Sequence, residues 1–225
     1  MDLGTVQDVH DVFVRYVRGQ IPSLPWCEAS LALESTKIGS FLVALNRYGF
    51  LTINSQPRVN GESSTDPSVG WGSPGGYVYQ KAYLEFFVCP EMRDRLLALM
   101  SRYPTLTWMS VNRAGELSTS PGQESSTNAV TCGVFPGQEI LQPTVVDAGA
   151  FVAWKDEAFH LWESMWAAAY PADSPARAIL DTVCSTYYLF NIVDNDFIHG
   201  DIFSIFAEIF ADGPTLRPVN MHRYE

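Results

Sequence analysis

Apolar residues return every three or four positions at the start of the chain, where Val6, Val9, Val12, Phe13, Tyr16 and Val17 predict an amphipathic helix ending near Gly19. Pro22 and Pro25 then turn the chain. Ile38, Phe41, Leu42 and Leu45 predict a second helix between residues 34 and 48, closed by Gly49. Leu51-Thr52-Ile53 reads as a short strand, and residues 54 to 76, rich in Ser, Pro, Gly and Asn, predict a long loop of the kind that binds ligands. Residues 77 to 87 are aromatic and β-branched enough for one long strand, which Cys89-Pro90 breaks. Pro90 opens a helix whose Met92, Leu96, Leu97 and Met100 face inward, and residues 106 to 111 predict another strand. A Ser/Gly-rich connection spans 113 to 127, with short strands predicted at 129 to 135 and 143 to 146. Phe151, Trp154, Ala158, Trp162, Met165 and Ala169 then fall at helical spacing, Pro171 interrupts, and Ser174-Pro175 restarts a helix through Ile179, Leu180 and Val183. Ile202, Phe203, Ile205, Phe206, Ile209 and Phe210 predict a last helix stopped by Gly213-Pro214. There is no repeat and no steady βαβ rhythm, which predicts a single mixed α+β domain over residues 1–225, with short mixed β-sheets flanked by helices.

Composition supports a folded domain: 47% of the 225 residues are hydrophobic and 17% charged, enough apolar material for a real core. The formal net charge of -11 repels phosphate backbones and anionic lipid surfaces, which argues against nucleic acid or a membrane as partner. No run of about 18 apolar residues offers a spanning helix, and Met1-Asp2-Leu3-Gly4 lacks the basic and apolar regions of a secretory leader, so a cytoplasmic protein is expected.

Cys27, Cys89, Cys132 and Cys184 stand too far apart for the close pairs of zinc sites and read as reduced packing residues. His10, His160, His199 and His222 show no metal-binding helical spacing, and no Ser sits in a Gly-x-Ser-x-Gly elbow. Gly70-Trp71-Gly72-Ser73-Pro74-Gly75 spells a dinucleotide fingerprint, but a strand follows it instead of a helix, so a structured turn is expected. Asp194-Asn195-Asp196 opens like a calcium loop, but Ile198 occupies a ligand position and Gly200 comes one place late, so it reads as a polar turn. Thr144-Val145-Val146-Asp147-Ala148-Gly149 has the strand and acidic-glycine turn of methyltransferase cofactor sites, with a strand end capped by Asp147 as the simpler reading. Asp156-Glu157 reads as the solvated face of a tryptophan-rich helix. A set of hydroxyl and carboxylate positions beside apolar strands stands above these: Glu34-Ser35, Thr52 with Ser55, Thr131 and Thr144.

Leu24-Pro25-Trp26, Asn46-Arg47-x-Gly49-x-Leu51-Thr52-Ile53-Asn54-Ser55-Gln56-Pro57 and Asp66-Pro67-x-Val69-Gly70-Trp71-Gly72 closely resemble the carboxy-terminal regulatory domain of eukaryotic methylenetetrahydrofolate reductase. So do, in order, Gly75-Gly76-Tyr77-Val78-x-Gln80-Lys81-Ala82-Tyr83-Leu84-Glu85-Phe86-Phe87, Asn128-Ala129-Val130-Thr131, Phe135-Pro136-Gly137, Gln142-Pro143-Thr144-Val145-Val146-Asp147, Trp154-Lys155-Asp156-Glu157-Ala158-Phe159 and Asn191-x-Val193-Asp194-Asn195-Asp196-Phe197. The resemblance covers nearly the whole chain.

It implies a domain that binds S-adenosylmethionine and thereby inhibits a separate flavin-containing reductase barrel, with S-adenosylhomocysteine competing, and that forms a homodimer. It places the ligand against Glu34, Ser35, Thr52, Ser55, Thr131 and Thr144, positions already picked out for their chemistry. A carboxylate suits the ammonium and sulfonium of such a ligand, and hydroxyls can either donate to or accept from its carboxylate and ribose. Ser35 stands where the family often has Thr, and Cys132 where Trp is usual, so affinity or ligand preference is expected to differ. On that resemblance the flavin barrel with its FAD, the linker that helps enclose the ligand and a Ser-rich phosphorylated extension are expected to lie outside this chain. The chain is therefore expected to hold no cofactor, to have no redox chemistry of its own, and to act on a reductase domain in cis or in trans. Two alternatives remain: a divergent methyltransferase built around Asp147-Ala148-Gly149, and an interaction module that keeps the fold without the ligand.

Overall fold

The computed structural model describes residues 3–63, 77–120, 127–129, 131–134, 151–153, 156–194 and 202–211. Its organising element is a five-stranded antiparallel sheet in the order β1-β4-β10-β5-β6, formed by β1 (Leu51–Gln56), β4 (Tyr83–Val88), β10 (Tyr188–Asp194), β5 (Leu106–Val111) and β6 (Leu117–Thr119). A three-stranded sheet joins β2 (Val59–Ser63), β3 (Tyr77–Gln80) and β8 (Thr131–Val134), and β7 (Thr127–Ala129) pairs with β9 (Phe151–Ala153). The mixed α+β architecture matches the class expected from the sequence.

β4 and β10 bury both faces, and alternate side chains feed two separate cores. On one face Phe87, Leu189, Leu51 and Val111 pack with α1 (Val6–Val17), α5 (Asp156–Ala169) and α6 (Pro175–Thr186). On the other, Leu84, Phe86, Val88, Phe190 and Ile192 pack with α3 (Gly39–Arg47), α4 (Pro90–Met100) and α7 (Ile202–Ala211). Phe206 of α7 fits among Phe41, Phe50 and Phe86 with ring centroids 5.6, 5.3 and 5.9 Å away in edge-to-face arrangements. Helix ends follow their sequence signals. Thr5 and Asp8 form a reciprocal capping box on α1, Ser174 caps α6 ahead of Pro175, and Pro90 opens α4. Gly49 adopts φ 90°, a left-handed conformation that lets the chain leave α3 and enter β1 within a few residues.

Several expectations are corrected. The second helix is broken into α2 (Leu33–Thr36) and α3 around Lys37 and Ile38. The long loop after residue 53 does not begin there, because β1 continues to Gln56 and β2 follows at once; residues 64–76, with the glycine fingerprint, lie outside the described residues. The single strand over 77 to 87 is two strands in different sheets, interrupted at Lys81 and Ala82, where the Asp194 N–H donates to the Ala82 carbonyl at 2.9 Å. Residues 151–153, assigned to the tryptophan-rich helix by their spacing, pair with β7 instead. The largest omission is β10. Its run is apolar nearly throughout, as a strand buried on both faces must be, and so shows no alternation to read. Asp194, expected in a polar turn, is fully buried as the last residue of β10 and accepts from the Ile202 N–H at 3.3 Å, anchoring the start of α7.

Candidate functional site

A cleft of about 210 Å³ opens between α1, α2, β1 and α5. Phe13, Tyr16, Trp26 and Trp162 form its apolar wall, and Glu34, Ser35, Thr52, Asn54, Ser55 and Gln56 its polar one. Trp26 is held by the Leu24–Cys27 bridge, whose two backbone bonds are each 3.1 Å, and by its stack of neighbours, Phe13 at 5.5 Å and Trp166 at 6.0 Å. The apolar wall is thus built on rigid packing.

The polar wall depends on an irregularity in β1. Thr52 pairs with Phe86 and Asn54 with Glu85, which leaves Ile53 as an extra residue in the ladder. Such a bulge twists the strand and breaks its strict alternation. Consecutive residues from Thr52 to Gln56 reach the cleft as a result. Opposite them α2 is tied down by Ser35, which is buried; its hydroxyl donates to the Ser55 carbonyl at 3.1 Å and lies 3.2 Å from the Ser55 hydroxyl. Those contacts fix half-buried Glu34, the neighbour of Ser35, at the cleft.

The electrostatics favour a cation. Glu34 lines the cleft and supplies its negative charge; Glu85 is not a cleft residue, and its buried carboxyl receives a hydrogen bond from the Asn54 side-chain amide, which also donates to the Tyr83 hydroxyl. Burial pushes the Glu85 carboxyl up to about 7 against the opposing Asn54 hydrogen bond. Tyr83 is raised by burial and by both Glu85 and Glu34. With aromatic faces on the other side, the cleft suits a positively charged, partly apolar organic ligand.

Of the six residues singled out from the sequence, Glu34, Ser35, Thr52 and Ser55 line this one cleft. Thr131 opens β8 and pairs with Gln80 of β3, and Thr144 lies outside the described residues, as does Asp147-Ala148-Gly149. Asn46, Asn54, Gln56, Trp26 and Trp162 were not singled out as site residues. The β1 bulge that brings Asn54 and Gln56 to the cleft is a property of strand pairing with no local signature. Among the described residues Cys27, Cys89 and Cys184 are unpaired, and burial raises the thiols of Cys89 to about 11 and Cys184 to about 12. No group of three potential metal ligands and no helix long and apolar enough to cross a membrane occurs among the described residues.

Comparison with known proteins gives the cleft a context. A family model described as MTHFR, SAM-binding regulatory domain, matches residues 1–212. A probable methylenetetrahydrofolate reductase (NADH) of Oryza sativa subsp. japonica is 51% identical over 206 residues, covering 91% of this chain and 34% of the relative. Methylenetetrahydrofolate reductase (NADH) 1 of Arabidopsis thaliana is 48% identical over 91% of this chain and 35% of its own length. Methylenetetrahydrofolate reductase 1 of Schizosaccharomyces pombe is 44% identical over 90% of this chain and 33% of its own length. The chain thus spans about a third of the length of these relatives.

Proposed function

Since this chain belongs to the family of S-adenosylmethionine-binding regulatory domains of eukaryotic methylenetetrahydrofolate reductases, we propose that the cleft beside β1 is its S-adenosylmethionine site and that occupancy inhibits a flavin-containing reductase barrel. The observation that carries this reading is the convergence of Glu34, Ser35, Thr52 and Ser55, scattered over 22 positions of sequence, on a single cleft with aromatic walls. Glu34 supplies the negative charge for the ammonium or sulfonium, and the hydroxyls serve the ribose and carboxylate. The aromatic wall accommodates the adenine or the sulfonium methyl. At about 210 Å³ the cleft is smaller than the ~300–1,000 Å³ usual for ligand sites. It encloses part of the ligand, with Thr131 and Thr144 proposed to contact the rest.

S-adenosylhomocysteine shares every group except the methyl and its charge, so it competes for the site and relieves inhibition. Inhibition requires the ligand to favour one arrangement of regulatory domain and barrel over another, with coupling of about 1–3 kcal/mol. The chain acts as the regulatory part of the reductase, as a homodimer in the cytoplasm, on a catalytic domain in cis or in trans. FAD and the redox step belong to that catalytic domain.

Isothermal titration with S-adenosylmethionine and S-adenosylhomocysteine tests the reading. Both ligands are expected to bind and to exclude each other, and Glu34→Ala is expected to weaken S-adenosylmethionine by about 1.5–3 kcal/mol, the value of a hydrogen bond to a charged group. Unchanged affinity in Glu34→Ala would overturn the assignment. Turnover of S-adenosylmethionine with transfer of its methyl group would favour a methyltransferase, and absence of heat an interaction module.

A further inference from the structure

Asn46 lies on α3, outside the residues that line the cleft, and is 1% exposed. Its side chain nevertheless makes three hydrogen bonds that leave no freedom in how it is oriented. The Thr52 backbone N–H donates to Oδ1 at 3.2 Å, and Nδ2 donates to the Leu42 carbonyl at 2.8 Å and to Thr52 Oγ1 at 2.7 Å. A backbone N–H can only donate and a carbonyl can only accept, so the first two partners fix which end of the amide is oxygen and which nitrogen. Thr52 Oγ1 must therefore accept from Asn46. Its own proton is left over, and among the described residues no acceptor takes it. Thr52 lines the cleft.

We propose that Asn46 is a positioning residue of the cleft, which commits the Thr52 hydroxyl to act as a hydrogen-bond donor toward an acceptor atom of the bound ligand. The inference rests on the cleft being the S-adenosylmethionine site and adds to it the direction of one hydrogen bond. The acceptor belongs to the ligand's carboxylate, its ribose oxygens or its adenine nitrogens. The other hydroxyls are set differently. The Ser35 hydroxyl is engaged within the wall, 3.1 Å from the Ser55 carbonyl and 3.2 Å from the Ser55 hydroxyl. The polar wall thus presents Thr52 as donor beside Glu34 as acceptor. That mixture fits a zwitterionic amino-acid ligand better than a simple cation. His10 supports the arrangement from α1: buried, and held down to about 4 mainly by that burial, it hydrogen-bonds the Asn46 backbone. The packing of α1 on α3 therefore fixes the residue that orients Thr52.

The test uses the 225-residue chain and a polarity reversal of nearly constant shape. In Asn46→Asp the atom facing Thr52 Oγ1 and the Leu42 carbonyl becomes a carboxyl oxygen; titrated at alkaline pH, where this buried carboxyl is ionised, it takes the Thr52 proton and turns the hydroxyl into an acceptor in the cleft. Titration with S-adenosylmethionine is expected to show about a tenfold loss of affinity for Asn46→Asp, a similar loss for Thr52→Val, and no further loss when the two are combined. Thr52→Ser, which keeps the hydroxyl, is expected to restore most of the affinity. Wild-type affinity in Asn46→Asp, or losses that multiply to about a hundredfold in the double variant, would overturn the proposal, because a merely structural Asn46 weakens binding independently of the residue at 52. A measurement without ligand separates this from the functional reading. Thr52→Val is expected to shift the Asn46 side-chain amide resonances in a ¹⁵N-correlated spectrum, and unchanged resonances would overturn the inference whatever ligand the cleft binds.

Discussion

Glu85→Gln is expected to change how the stability of the fold depends on pH. Glu85 lies on β4, between β1 and β10 of the main sheet, paired with Asn54 on one side and Asn191 on the other, and burial raises its carboxyl from 4.5 to about 7. The folded chain therefore keeps a proton that the unfolded chain releases. The stability linked to that proton is full below about pH 4.5 and is lost as pH rises through 7, a total of about 3 kcal/mol at about 1.36 kcal/mol per pH unit. His10 acts in the opposite sense. Burial lowers it from 6.5 to about 4, so its contribution is present above pH 6.5 and is lost, by a similar total, as pH falls through 4. Between about pH 4.5 and 6.5 the two slopes oppose each other, and the wild-type chain shows neither. Removing the Glu85 titration exposes that of His10, so the variant gains about 1.4 kcal/mol per pH unit across this interval and ends about 3 kcal/mol better at pH 8, relative to wild type, than at pH 4. Urea unfolding followed by tryptophan fluorescence at pH 5, 6, 7 and 8 measures the difference. Parallel stability curves for the two proteins, separated by a constant gap, would show that Glu85 takes up no proton on folding.

Phe206→Ala removes the ring that joins Phe41, Phe50 and Phe86, and is expected to cost about 3–5 kcal/mol in chemical unfolding; a loss under 1 kcal/mol would show that α7 does not close this core. Ser174→Ala removes the hydroxyl that accepts from the Arg177 N–H at 3.2 Å and is expected to cost about 1 kcal/mol, leaving S-adenosylmethionine affinity unchanged because α6 contributes no residue to the cleft.

The parts of the fold legible in the sequence were those whose cause is local. α1 shows its periodicity and its cap, Pro90 and Ser174-Pro175 start helices, and Gly49 ends one because only a residue tolerant of positive φ fits there. Features set by tertiary partners were not legible. β10 is buried on both faces and so lacks alternation, and Phe151–Ala153 continues the helical spacing of α5 although pairing with β7 draws it into a strand. At the site, Glu34, Ser35, Thr52 and Ser55 could be named from residue chemistry together with resemblance to a known family. The role of Asn46 could not, because a buried amide at the end of a helix differs from a packing residue only once its three partners are seen. Asn54 and Gln56 reach the cleft through a bulge that exists only when β1 is paired with β4.

A crystal structure of the chain grown with S-adenosylmethionine decides where the ligand sits. Ligand density is expected in the cleft bounded by Trp26, Trp162 and β1, with a positively charged group of the ligand within hydrogen-bonding or ion-pair distance of the Glu34 carboxylate. Ligand density elsewhere on the molecule, with this cleft holding only water, would show that the cleft is not the S-adenosylmethionine site.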